Sequence, residues 1–158
     1  GIKGTELVEL NQNADVMEHI ERIRGMAAVK CGFVEKWEDA RTKSTSAPKV
    51  SIVSAPQDYT DMDKNQVKAE DMDLCVRAIS LHKAYPMTVA VGTGAAARIP
   101  GTIVYETLKA PLEGDIIRLG HSSGITDVDI KMDGEKVLKG GVTRTARRIM
   151  DGFVYIRE

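Results

Sequence analysis

Pro86-Met-Thr-Val-Ala-Val-Gly-Thr-Gly-Ala-Ala-Ala-Arg98 is the stretch on which the fold turns. Proline suits the first position of a helix, where its fixed φ and missing N–H cost nothing. The residues after it carry almost no polar side chain, and a helix apolar all round is normally buried on every side. Glycine and alanine at this density let neighbouring backbones approach closely. Ile99-Pro100-Gly101 ends the helix, and Thr102–Leu108 supplies a further short helical piece. The expectation is a small-residue helix, Met87–Arg98, at the centre of the domain with the other elements around it.

Downstream the pattern changes to strands. Asp115–Leu119 is followed by a turn at Gly120–Gly124 and by Ile125–Met132, in which Val128, Ile130 and Met132 alternate. A turn falls at Asp133-Gly134, and two more strands are expected around Asp151-Gly152. Upstream, Leu74, Val76 and Ala78 alternate within a strand Asp73–Ser80, and Lys49–Ser54 reads as a short buried strand. Residues 36–48 and 55–70 have loop composition. Val16, Ile20, Ile23 and Ala27 predict a helix over 15–31, with Asp15 as N-cap, Glu18 closing a capping box and Gly32 after the last turn. His19 sits beside that apolar stripe as a boundary residue. These elements predict one α+β domain spanning 1–158, a central small-residue helix wrapped by a strongly curved mixed or antiparallel sheet.

Composition narrows the function. The 158 residues hold 22 Lys+Arg against 23 Asp+Glu, a net charge of -1, with 4% aromatics. That balance lacks the basic face of a nucleic-acid binder. No apolar run approaches the length of a membrane span, and no signal segment opens the chain, so no membrane partner and a cytoplasmic location are expected. Gly1 begins a polar, glycine-containing segment of the kind found at linkers and processed junctions. Cys31 and Cys75 lie apart in apolar contexts without metal-ligand spacing, which predicts two buried, reduced thiols and neither disulfide nor zinc.

Gly120-His121-Ser122-Ser123-Gly124 fits the G-x-S-x-G pattern of a nucleophile elbow, but that motif needs a helix after the turn and a histidine downstream. Strand alternation follows Gly124, and His121 is the last histidine. The same turn, with two hydroxyls, an imidazole and backbone N–H groups, could hold a carboxylate; it could also be a plain glycine turn. Gly92-Thr93-Gly94 is too short for a dinucleotide fingerprint. Thr88, near the start of the central helix, either helps bind an anion there or caps the helix. Arg144, Arg147 and Arg148 read as the solvated edge of a strand, Arg144 and Arg148 on one face. Asp61-Met-Asp63-Lys-Asn65 departs from a calcium loop at Gln66 and Met72.

In order along the chain, Gly1-Ile-Lys-Gly-Thr-Glu6, Glu21-Arg-Ile-Arg24, Ala47-Pro-Lys49, His82-Lys-Ala-Tyr-Pro-Met-Thr88, Ala95-Ala-Ala-Arg-Ile-Pro-Gly101, Gly120-His-Ser-Ser-Gly124 and Arg144-Thr-Ala-Arg-Arg-Ile-Met-Asp-Gly152 resemble the C-terminal half of the PrpF family. Its members include 2-methylaconitate cis-trans isomerases, methylitaconate isomerase and oxalomesaconate tautomerase. The resemblance implies a diaminopimelate-epimerase-like fold, in which each of two lobes curves a sheet around a central helix and the cleft between them is the active site. Residues 1–8 then become the inter-lobe linker or a first strand. It implies proton transfer next to a carboxylate in a small di- or tricarboxylate, without metal or organic cofactor, and a stabilised enolate-like intermediate. The proton-transfer lysine and cysteine belong to the N-terminal lobe, so no catalytic residue is expected in this chain. His121, Ser122, Ser123 and Gly124 are the expected carboxylate-binding turn, followed by Met87 and Thr88. Relatives often have proline where Ser122 stands. The partner so implied is the N-terminal lobe; a homodimer is a further way to cover an exposed half-cleft. A free-standing carboxylate-binding or interaction domain is the alternative to an isomerase lobe.

Overall fold

The computed structural model describes residues 12–79, 85–144 and 146–156, and the linker reading of residues 1–8 lies outside them. Among the described residues seven strands form: β1 (Ser51–Ser54), β2 (Tyr59–Thr60), β3 (Gln66–Val67), β4 (Leu74–Ala78), β5 (Ile116–His121), β6 (Gly124–Asp133) and β7 (Lys136–Val142). The α-helices placed in full among the described residues are α1 (Ala14–Lys30), α2 (Ala40–Lys43), α3 (Met87–Ala96) and α4 (Ile103–Thr107). The main sheet has the order β1-β4-β5-β6-β7, and β2 pairs with β3 alone. The sheet is mixed, as the fold expectation allowed, because β4 and β5 run parallel, with Leu74 opposite Leu119. A parallel return requires a crossover, and α3 and α4 provide it.

Alternation decides which side chains meet the helix. Leu74 and Val76 of β4, Ile117 and Leu119 of β5, and Val128 and Ile130 of β6 are all at most 1% exposed and form one cluster with Ala90 and Ala97. Each such aliphatic side chain stabilises the fold by roughly 1.5–3 kcal/mol. The small residues of α3 have a steric cause. A Cβ on Gly94 would stand 2.9 Å from Ile130 Cγ1 and 3.2 Å from Ile117 Cγ2. Across the seam, a Cβ on Gly140 of β7 would stand 2.6 Å from Val91 Cγ1.

Burial of α3 is nevertheless one-sided, contrary to the all-round burial expected of an apolar helix. Ala90, Thr93 and Gly94 are buried, while Met87, Thr88 and Gly92 are exposed. One sheet covers one side of a helix, and no second layer lies over the other among the described residues. The helix ends at Ala96, two residues short of Arg98, and Pro86 is its N-cap rather than its first helical residue.

At the start, Asn13 rather than Asp15 is the N-cap, its side chain accepting from the Val16 N–H at 3.2 Å. Glu18 therefore lies beyond the capping position and pairs instead with Arg41. Gly32 does end the helix, with φ +73. The buried face runs through Ile20, Gly25 and Ala28, leaving Ile23 half exposed. Gly25 sets this face, since a Cβ there would be 2.5 Å from the Trp37 carbonyl oxygen. Residues 37–43, expected as loop, form a 3-10 turn and α2 against it. Cys31 is exposed at the C-cap, against expectation, and Cys75 is fully buried.

The strands expected around Asp151-Gly152 do not form. β7 ends at Val142, and residues 146–156 carry no regular structure. Ile149, Phe153 and Tyr155 are each at least 92% exposed. An apolar segment becomes a strand only when it pairs with a neighbouring strand, and residues 146–156 pair with none among the described residues. The reading of Arg144 and Arg148 as one strand face fails with it; Arg148 makes an exposed ion pair with Asp151.

Candidate carboxylate-binding site

β5 delivers His121 to the end of the sheet, and Ser122 and Ser123 turn the chain into β6. Because a strand rather than a helix follows, the G-x-S-x-G string is a hairpin turn and not a nucleophile elbow. Gly124 opens β6 with φ +107, a conformation that side chains rarely adopt. His121 pairs with Gly124 across the hairpin.

The turn is held from behind by its carbonyl groups. The Tyr59 hydroxyl donates to the carbonyl oxygens of His121 (2.7 Å) and Gly124 (2.8 Å). The Met62 N–H donates to the Ser122 carbonyl at 2.9 Å. Burial pushes the Tyr59 phenol up to about 12, with the Cys75 thiol adding to the shift, so the hydroxyl keeps its proton and stays a donor. Both donors come from the β2–β3 hairpin, a segment of loop composition. Asp61 shapes it by accepting from the Asn65 N–H at 2.8 Å. Gly120 lets Met72 and Tyr59 close on the turn, since a Cβ there would run into Met72 Sδ and stand 3.3 Å from the Tyr59 hydroxyl.

The imidazole of His121 is 6% exposed and fully employed. The Ser123 N–H donates to its Nδ1 at 3.2 Å, which assigns the remaining proton to Nε2 and makes the 2.8 Å contact a donation to Thr126 Oγ1. Burial lowers its pKa below the usual histidine value, in agreement with a neutral ring. His121 thus orients the turn and brings no charge. Positive potential comes from the start of α3, where no side chain caps the first N–H groups because the N-cap is proline. Thr88 therefore is not a cap.

Tyr85 joins the two parts. Its ring stacks on His121, with centroids 6.3 Å apart and planes 19° apart, and it directly precedes Pro86-Met87-Thr88. His121, Ser122, Ser123 and Gly124 and the pair Met87 and Thr88, far apart in sequence, thereby belong to one end of the molecule. Arg144 joins this end: its Nη1 donates to Met87 Sδ at 3.2 Å. Tyr59, Tyr85 and Arg144 are the participants that sequence reasoning missed as site residues. Two-residue strands show no alternation, so nothing marked Tyr59; the stretch Tyr85-Pro86 was visible as part of a motif without a role. Among the described residues, no group of three or more His, Cys, Asp or Glu is arranged to hold a metal ion, and no helix is long and apolar enough to cross a membrane.

Comparison with known proteins fits this architecture. The sequence profile of the family described as "PrpF protein" matches residues 1–157. The 3-methylitaconate isomerase of Eubacterium barkeri is 41% identical over 161 residues, covering 98% of this chain and 42% of that protein. The 2-methyl-aconitate isomerase of Shewanella oneidensis is 36% identical over 164 residues, covering 99% and 41%. A crystal structure of methylitaconate-delta-isomerase superposes with a TM-score of 0.86 at 38% identity, covering 97% of this chain and 41% of that one. The chain therefore has the diaminopimelate-epimerase-like lobe expected for it, and spans about two fifths of the length of these relatives.

Proposed function

The chain belongs to the PrpF family, and from that premise we propose that it is the C-terminal lobe of an isomerase that moves a proton and a double bond in small unsaturated di- or tricarboxylates. In this reading the turn His121–Gly124 and the start of α3 hold a substrate carboxylate. The observation that supports it is the stacking of Tyr85, which directly precedes the uncapped start of α3, on His121 of the turn.

Removing a proton beside a carboxylate puts negative charge on that carboxylate, so a site of N–H and O–H donors stabilises the intermediate more than the substrate. Positioned donors suit this role because the Tyr59 and Met62 bonds fix the turn before substrate arrives. The acid and base come from the N-terminal lobe, the partner implied by the exposed side of α3 and by the apolar residues 149–156. The test is isomerisation of 2-methylaconitate in deuterated buffer. A polypeptide containing both lobes should isomerise it with deuterium uptake, and His121→Ala should lower kcat/KM by about 10–100-fold, as expected when a group that positions transition-state donors is lost. Activity from this chain alone would overturn the placement of acid and base.

A further inference from the structure

A recess of about 350 Å³ opens between α3, β1 and α4, and Thr88 at the start of α3 is part of its lining. Its volume lies at the small end of ligand sites, the scale of a small organic acid. Lys49 is the one charged residue in its lining, no carboxylate lines it, and Lys49 has no ion-pair partner among the described residues. Gly92 keeps it open, since its absent Cβ would meet nothing within 4 Å. Val104 and other aliphatic side chains complete the wall.

The polar floor has a direction. Tyr85 has one hydroxyl proton and donates it to Ser51 Oγ at 2.9 Å. Its 2.7 Å contact with Thr93 Oγ1 must then be accepted from Thr93. The chain Thr93 to Tyr85 to Ser51 ends on the Ser51 hydroxyl proton, and each bond polarises the next toward that end. Such a relay, ending beside an ammonium group, suits an acceptor carrying negative charge.

We propose that this recess is a second carboxylate subsite, in which Lys49 and Ser51 grip a further carboxylate arm of the acid held by the His121–Gly124 turn. The assignment rests on the carboxylate role proposed for that turn. It makes the recess the part of this lobe that separates acids by the number and spacing of their carboxylates, with Tyr85 as the positioning residue of both subsites.

The test is a titration of the ¹⁵N-labelled chain, followed by amide shifts, with trans-aconitate, which has three carboxylates, and mesaconate, which has two. Trans-aconitate should give saturable shifts at Lys49, Ser51 and Thr88 as well as at Ser122–Gly124. Lys49→Met, a change at an exposed side chain, should abolish the first set and weaken trans-aconitate binding about tenfold, the scale of one charge-assisted hydrogen bond. Mesaconate binding should fall less. Tyr85→Phe keeps the ring over His121 and breaks the relay, so it should weaken trans-aconitate in the same direction. Response at Ser122–Gly124 with silence at Lys49 and Ser51, or unchanged affinity in Lys49→Met, overturns the subsite and leaves the turn's role standing. Response at the recess with a silent turn overturns the turn's role and leaves the recess an anion site. Silence at both overturns both.

Discussion

His121 ties pH to stability. Its folded pKa lies below the unfolded value near 6.5 because burial disfavours the charged ring. Between those two values the unfolded chain binds more protons than the folded one, so stability falls as pH drops from about 6.5 toward the folded pKa, and is fully present above about 6.5. Urea midpoints at pH 7.5 and 5.5 should separate in the native sequence and converge in His121→Gln; equal separations would show the ring is not the group responsible. Tyr59 is a second residue whose effect has a clear size. Tyr59→Phe leaves the carbonyls of His121 and Gly124 without their donor, at a cost of about 1–3 kcal/mol. The loss should appear in the urea midpoint and as faster hydrogen exchange at Ser123, whose N–H bond to His121 depends on the shape of the turn.

At the level of elements, two glycines two residues apart in α3 should respond with opposite sign. Gly92→Ala meets no atom within 4 Å and should gain roughly 0.5–1 kcal/mol of helix preference. Gly94→Ala gains the same preference but forces its methyl against Ile130, Ile117 and Val128, and overpacking of about 1–3 kcal/mol should outweigh it. Thermal unfolding of the two variants distinguishes them, and stabilisation by Gly94→Ala would mean the sheet yields more readily than its packing implies. The same helix shows what sequence can convey. Small residues and flanking proline marked α3 within two residues, and alternation marked β4 and β6, because these signals repeat over several turns or pleats. Which side of α3 the sheet covers depended on Ile130, Ile117 and Val91 meeting Gly94 and Gly140, contacts distant in sequence. The turn and the start of α3 were each legible as places for an anion, but their union through Tyr85 and His121 was not. The β2–β3 hairpin escaped because strands of two residues have no period, and Asn13 displaced Asp15 because either side chain is a good cap.

For the molecule as a whole, the decisive feature is apolar surface left exposed among the described residues. Ile149, Met150, Phe153, Val154, Tyr155 and Ile156 are each at least 84% exposed, and Ile23, Met26 and Phe33 of the α1 region are about half exposed. Soluble monomers rarely display contiguous apolar patches much beyond a few hundred Å². A run of β-prone apolar residues without a pairing partner is a template for association with another chain or sheet edge. Deleting residues 149–158 should therefore leave the urea midpoint within about 0.5 kcal/mol of the starting chain, since exposed side chains contribute little to folding. The same deletion should reduce concentration-dependent association in sedimentation velocity, together with binding of an apolar dye. If the other lobe covers the segment, as the proposed function requires, a two-lobe polypeptide should lack both the association and the dye binding. If the two-lobe protein still associates through these residues, a second copy rather than the N-terminal lobe is what they meet. A fall in the midpoint on deletion would instead place them against this lobe's own core.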